Sequence, residues 1–151
     1  MTKPKLDLID RTNFEDLKWN NWTKAMENQP GEIIRKNDNY CASFALSDIL
    51  DTTLTKSWTL KPDTYYLLQF SLQTPNENNY YSVKWNDLDL GEKTLISAST
   101  TWKTVGVTFR TSPFGFPPED KIELKIERGT ADNLVMLDDL ELYDLELYNL
   151  S

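Results

Sequence analysis

The sequence predicts an all-β protein, a two-sheet antiparallel β-sandwich wired as a jelly roll. Three observations carry that prediction. Many short runs alternate apolar and polar side chains with a period of two. Clusters of Pro, Gly, Asn and Asp punctuate those runs at close spacing. No amphipathic helix longer than a turn or two can be drawn. At 151 residues the chain fits one domain, large enough to bury a core.

Lys5–Asp10 alternates Leu6 and Leu8 with charged residues and forms a first strand. A strand is expected over Trp22–Glu27, ended by the Pro30-Gly31 turn, and another over Glu32–Arg35. Asn37-Asp38-Asn39 turns the chain into a compact strand, Tyr40–Leu46. The richest stretch is Thr52–Thr74. Leu54, Trp58 and Leu60 alternate with Thr and Ser, then Lys61-Pro62-Asp63-Thr64 intervenes. Tyr66, Leu68, Phe70 and Leu72 then alternate with Tyr65, Leu67, Gln69, Ser71 and Gln73. A period of two on both sides of a Pro-Asp turn predicts a β-hairpin. Lys56 falls on the inward phase, which requires an exposed strand end or a paired lysine.

Tyr80–Asn86 is expected as a strand with Tyr81, Val83 and Trp85 inward. Glu92–Thr101 reads as irregular. Trp102–Arg110 is a strand with Val105, Val107 and Phe109 on one face. A Pro-rich loop, Ser112–Glu119, carries Phe114 and Phe116. Lys121–Glu127 alternates strictly, and Leu134–Tyr143 closes the sandwich. There Asp139-Leu-Glu-Leu-Tyr is echoed by Asp144-Leu-Glu-Leu-Tyr. The odd period turns the second copy's leucines to the other face, which predicts a kink or bulge near Asp144. The domain is read as 1–143, with 144–151 an acidic C-terminal extension.

Composition removes whole classes of function. A net charge of −8 argues against nucleic acid, whose phosphates need Lys and Arg, and against an anionic membrane surface. No histidine means no Ser-His-Asp or Cys-His arrangement. The one cysteine, Cys41, lies in an apolar run and reads as a small core residue. The start of the chain has no apolar signal region, and no segment approaches the roughly 20 apolar residues of a membrane span. No carboxylate pair stands out for glycoside hydrolysis, so a non-enzyme is expected.

Several motifs follow in order: Asn13-Phe14-Glu15, Trp22, Leu54-x-Lys-x-Trp58-x-Leu60-Lys61-Pro62-Asp63-Thr64-Tyr65-Tyr66, Tyr81-x-Val83-x-Trp85-Asn86, Trp102, and Leu137-Asp138-Asp139-Leu140-Glu141-Leu142. Together they resemble the galactose-binding-like jelly rolls, in particular carbohydrate-binding modules found beside xylanases and other glycanases. The chain departs from that pattern at Arg11-Thr12, Lys56 and Asp63. The resemblance implies inward-facing Trp22, Trp58, Trp85 and Trp102. It also implies a structural Ca2+ joining Glu15 to Asp138 or Asp139.

Sugars need flat rings to stack on, with amides and charges to read hydroxyls. Strand phase nominates Tyr65, Gln69, Gln73, Tyr80, Lys84, Asn86 and Arg110 as one glycan groove. Trp19 and Phe116 are the loop aromatics nominated as a second surface. The expected function is a non-catalytic module that holds a larger assembly on a polysaccharide or cell-surface glycan, acting extracellularly or on a virion surface. The alternative is a structural or interaction module of a bacteriophage virion, of decoration or baseplate type, with other virion or multidomain proteins as partners.

Overall fold

The structure is a computed structural model, and it describes residues 5–24 and 31–146. Those residues form strands and turns without a helix. The strands are β1 (Lys5–Thr12), β2 (Thr23–Lys24), β3 (Glu32–Lys36), β4 (Asn39–Leu46), β5 (Thr52–Trp58) and β6 (Tyr65–Thr74). They continue as β7 (Asn79–Trp85), β8 (Leu88–Asp89), β9 (Thr94–Ile96), β10 (Ser99–Arg110), β11 (Asp120–Arg128) and β12 (Asn133–Glu146).

Two antiparallel six-stranded sheets pack face to face. The front sheet runs β10-β6-β12-β4-β3, with β1 paired to the second half of β12. The back sheet runs β2-β5-β11-β7-β8, with β9 also on β7. The predicted sandwich is what the chain builds. The alternating phase places Leu54, Tyr66, Leu68, Phe70, Leu72, Val83, Phe109, Ile122, Leu124 and Ile126 in one buried cluster. Removing such side chains from water is the main force holding the sheets together.

The hairpin expected over Thr52–Thr74 does not form. β5 pairs with β11 and β2 in the back sheet, whereas β6 pairs with β10 and β12 in the front sheet. Lys61–Thr64 is therefore a crossover between sheets. Its polar groups are satisfied by the neighbouring crossover from β10 to β11: Asp63 N–H donates to Ser112 O, Thr111 N–H to Thr64 O, and Thr111 Oγ1 to Lys61 O. Two crossovers laced side by side replace the cross-strand ladder of a hairpin.

Other expectations shift for local reasons. Glu92–Thr101 is not irregular throughout, since it contains β9 and the start of β10. Thr23–Lys24 begins the strand expected over Trp22–Glu27, whose remainder lies outside the described residues. The irregularity in the last strand sits at Asp139, with φ +52°, between Asp138 and Glu141, rather than near Asp144. β12 then runs straight through residues 144–146, so the boundary drawn at 143/144 falls within a strand; residues 147–151 lie outside the described residues. Leu140 and Leu142 are buried, while Leu145 faces out beside Leu6. Of the four tryptophans expected inward, Trp22 is buried and Trp58 and Trp85 pack on the core. Trp102, 39% exposed, does not.

Lys56 resolves as a paired lysine. Its Nζ lies 2.5 Å from Asp10 Oδ2 and donates to Asn20 O. Asp10 also accepts from Trp58 Nε1 and Asn20 Nδ2. Burial alone would raise the Asp10 pKa, and the hydrogen bonds from Lys56, Asn20 and Trp58 outweigh it and hold the carboxyl below its ordinary range. This network ties β1 of the front sheet to β5 of the back sheet.

Candidate functional site

Each sheet has an outer face, and the two faces differ in chemistry. On the front face, cross-strand registers line up rows of side chains. One row is Leu8, Tyr143, Leu67 and Thr108; the next is Arg11, Glu141, Gln69 and Gly106; Tyr65 stands opposite Arg110. The Arg110 guanidinium lies 5.3 Å from the Tyr65 ring centre and pairs with Asp63. Arg11 Nε donates to Glu141 Oε2 at 2.7 Å. Tyr143 has its pKa raised, by burial first and then by its hydrogen bond to Glu141. This half of the face therefore presents two phenolic rings and the leucines Leu6, Leu8, Leu67 and Leu145, edged by guanidinium, amide and carboxylate groups.

The other half of the front face is closed. Cys41, Ser43, Gln73 and Met136 point away from the back sheet, yet all are buried. Burial pushes the Cys41 thiol up to about 11, with the Asp138 charge adding to it, which disfavours the thiolate form a nucleophile needs. Gln73 is 3% exposed and donates Nε2 to Thr100 O. It is covered rather than offered to a ligand.

The back face is a charge lattice. Lys121, Glu123, Lys125 and Glu127 point outward between buried Ile122, Leu124 and Ile126. Lys121 reaches Asp87 at 3.1 Å, Lys125 reaches Glu127 at 3.1 Å, and Lys93 reaches Glu127 at 3.6 Å. Lys93 also sits 4.8 Å over the Tyr80 ring.

The groove nominated by strand phase is thus divided. Tyr65, Gln69, Gln73 and Arg110 belong to the front sheet; Tyr80, Lys84 and Asn86 belong to β7 and its following turn in the back sheet. Asn86 is committed to structure, donating Nδ2 to Asp120 and accepting the Lys121 N–H. Trp19 is no free loop ring either: it packs edge-on to Phe14 at 5.4 Å and against Phe44 at 5.9 Å. Phe116 and Phe114 stand out from the Pro-rich loop, 75% and 88% exposed. Arg11, Leu67, Glu141 and Tyr143 join this face although strand phase did not nominate them; their signal was available, because each alternates with a buried neighbour.

An acidic corner lies where Glu15, Asp138 and Asp139 influence one another. Burial, with the Asp139 and Glu15 charges adding to it, raises Asp138 to about 7 against an opposing hydrogen bond from the Asp139 N–H. Glu15 Oε2 accepts the Tyr40 N–H at 2.8 Å. By charge, the corner suits a divalent cation. By geometry, among the described residues no three His, Cys, Asp or Glu side chains converge as metal ligands. The carboxylates alone do not make a calcium site, and main-chain carbonyl oxygens would have to complete it.

The two-sheet antiparallel β-sandwich is a fold this chain shares with solved carbohydrate-binding modules. Compared by sequence, the chain matches no defined family and no curated protein. Compared by structure, it is similar to a family 61 carbohydrate-binding module in complex with β-1,4-galactotriose, with a TM-score of 0.65 and 16% identity over 87% of this chain and 94% of that one. It is similar to a family 27 module described for specific mannan recognition, with a TM-score of 0.60 and 13% identity over 93% and 98%. It also resembles part of tailspike protein 4 of bacteriophage CBA120, with a TM-score of 0.57 and 11% identity over 88% of this chain and 20% of that chain. No helix among the described residues is long and apolar enough to cross a membrane.

Proposed function

We propose that this chain is a non-catalytic glycan-binding module and that the glycan lies on the open half of the front face. The observation that carries the reading is the row Leu8–Tyr143–Leu67 beside Tyr65, with Arg11, Glu141, Gln69 and Arg110 around it. Sugar rings offer C–H faces to aromatic and aliphatic side chains and hydroxyls to amides and charged groups. The similarity to modules solved or described with galactotriose and mannan supports the ligand class. The role is to hold a larger assembly on a polysaccharide or cell-surface glycan, outside the cell. Weak single-site binding then gains from multivalency. A glycan array of the wild type, repeated with Tyr65→Ala, tests this: binding left undiminished by the substitution moves the ligand off the front face.

A second reading is a bacteriophage virion module that adheres to host glycan or joins virion proteins. The tailspike similarity and the exposed Phe114 and Phe116 support it. A folded sample that binds no glycan on the array favours this interaction module over the first reading. For the acidic corner we propose a structural Ca2+ held by Glu15 with Asp138 or Asp139 and completed by carbonyl oxygens. The charge balance at Asp138 supports it. Calcium should raise the melting temperature and a chelator should reverse the rise; unchanged melting removes the ion.

A further inference from the structure

The edge of the front sheet carries a feature that glycan binding does not use. β10 is the terminal strand, and among the described residues no strand pairs with its outer side. Its register with β6 is regular from Lys103 to Arg110 and broken between Ser99 and Lys103. The regular stretch contains no proline, and its two charges, Lys103 and Arg110, stand at its ends, leaving Thr104–Phe109 uncharged. A cleft of about 290 Å3 lies beside it, between Gly106–Thr108 and the residues Leu90, Glu92 and Thr94. Proteins usually protect such an edge with charge, proline or a covering loop.

The sequence of that edge is a palindrome: Thr104-Val105-Gly106-Val107-Thr108. We propose that β10 pairs antiparallel with β10 of a second copy about a two-fold axis at Gly106. In that register Thr104 meets the partner's Thr108, Val105 meets the partner's Val107, and Gly106 meets its own copy. Like-with-like Thr and Val pairs are favourable cross-strand neighbours. Every contact off the axis recurs twice, as an isologous interface requires. Lys103 to Phe109 is the span symmetric about Gly106, so the bulge before Lys103 ends the ladder where the symmetry needs it to end.

The contact is short. Seven residues at about 3.4 Å each span about 24 Å, which makes a weak, concentration-dependent dimer rather than an obligate one. Its consequence is functional. Antiparallel pairing keeps opposed side chains on the same side, so the two front sheets become one and both open faces look the same way. A glycan-coated surface would meet two sites at once. The dimer stands independently of the glycan reading, because its test contains no sugar.

The test is sedimentation velocity from about 1 μM to about 1 mM, the range in which weak association shows. The wild type should rise from 17.6 kDa toward twice that mass. Thr104→Lys with Thr108→Lys sets lysines against each other across the axis at exposed positions, and should weaken the dimer about tenfold or more. Mixing that variant with Thr104→Glu/Thr108→Glu should restore a mixed dimer. Unchanged melting temperatures check that both variants fold. A wild type monomeric throughout, a lysine variant as dimeric as the wild type, or an edge that instead captures an extended peptide in a monomeric sample would each overturn the proposal.

Discussion

The front and back faces are built from the same alternation and end with opposite surfaces. The back face sets Lys121, Lys125 and Lys93 against Asp87, Asp51 and Glu127. Exposed pairs of this kind add little stability and keep a sheet face wet. The open half of the front face sets Tyr65, Tyr143, Leu67 and Leu8 at the surface and keeps its charges at the margin. Burying apolar area on a partner releases free energy, whereas displacing water from paired charges returns little. Two outward sheet faces are therefore not interchangeable platforms, and side-chain content decides which one binds.

The largest expected effect bears on both faces together. Lys56→Ala leaves the half-buried Asp10 without its cation, with only Trp58 and Asn20 donating to it, a loss of roughly 1–3 kcal/mol. Chemical denaturation should show that loss, and both faces should fail with it. If stability hardly changes, the network between β1 and β5 does not join the sheets.

The next effect separates the faces. Tyr65→Ala and Tyr143→Ala should each weaken glycan binding by about tenfold, roughly 1.4 kcal/mol, with little loss of fold. Tyr80→Ala and Lys84→Ala on the back face should leave affinity unchanged in calorimetric titration. The reverse pattern would move the site to the charge lattice.

A smaller effect comes from the acidic corner at the closed end of the front face. Asp138 rises from an ordinary 3.8 to about 7 in the folded chain. Folding thus favours the protonated form: the stabilisation is complete below the unfolded value and is lost as pH rises through about 7. Melting temperature should fall by several degrees between about pH 5 and pH 8. Asp138→Asn should flatten that fall, and a bound cation should do the same. A melting temperature that rises over this window contradicts the assignment.

The smallest effect is a control on the back face. Lys125→Ala removes two exposed ion pairs and should cost less than about 1 kcal/mol with binding intact.

Phase was legible in the sequence, and sheet membership was not. The strict alternation around Leu68, Phe70 and Leu124 announces which side of each strand meets the core, because that is a local property of the pleat. Which sheet a strand joins depends on distant partners. Lys61-Pro62-Asp63-Thr64 has the chemistry of a hairpin turn, yet its donors and acceptors are met by Ser112 and Thr111. That single crossover carries β6 to the front sheet and leaves β5 behind. A second, between β6 and β7, separates Tyr65 from Tyr80. Trp19 misled for a related reason: a tryptophan in a loop reads as exposed until Phe14 and Phe44 are seen to enclose it.

Amide shift mapping distinguishes the two sheet faces directly. A galactan or mannan oligosaccharide that binds should be titrated into isotope-labelled protein. Shifts should concentrate at Tyr65, Leu67, Gln69, Glu141 and Tyr143, with Tyr80, Ser82, Lys84, Glu123 and Lys125 undisturbed. Shifts confined to the β7 and β11 residues, with the front face silent, would contradict the front-face site.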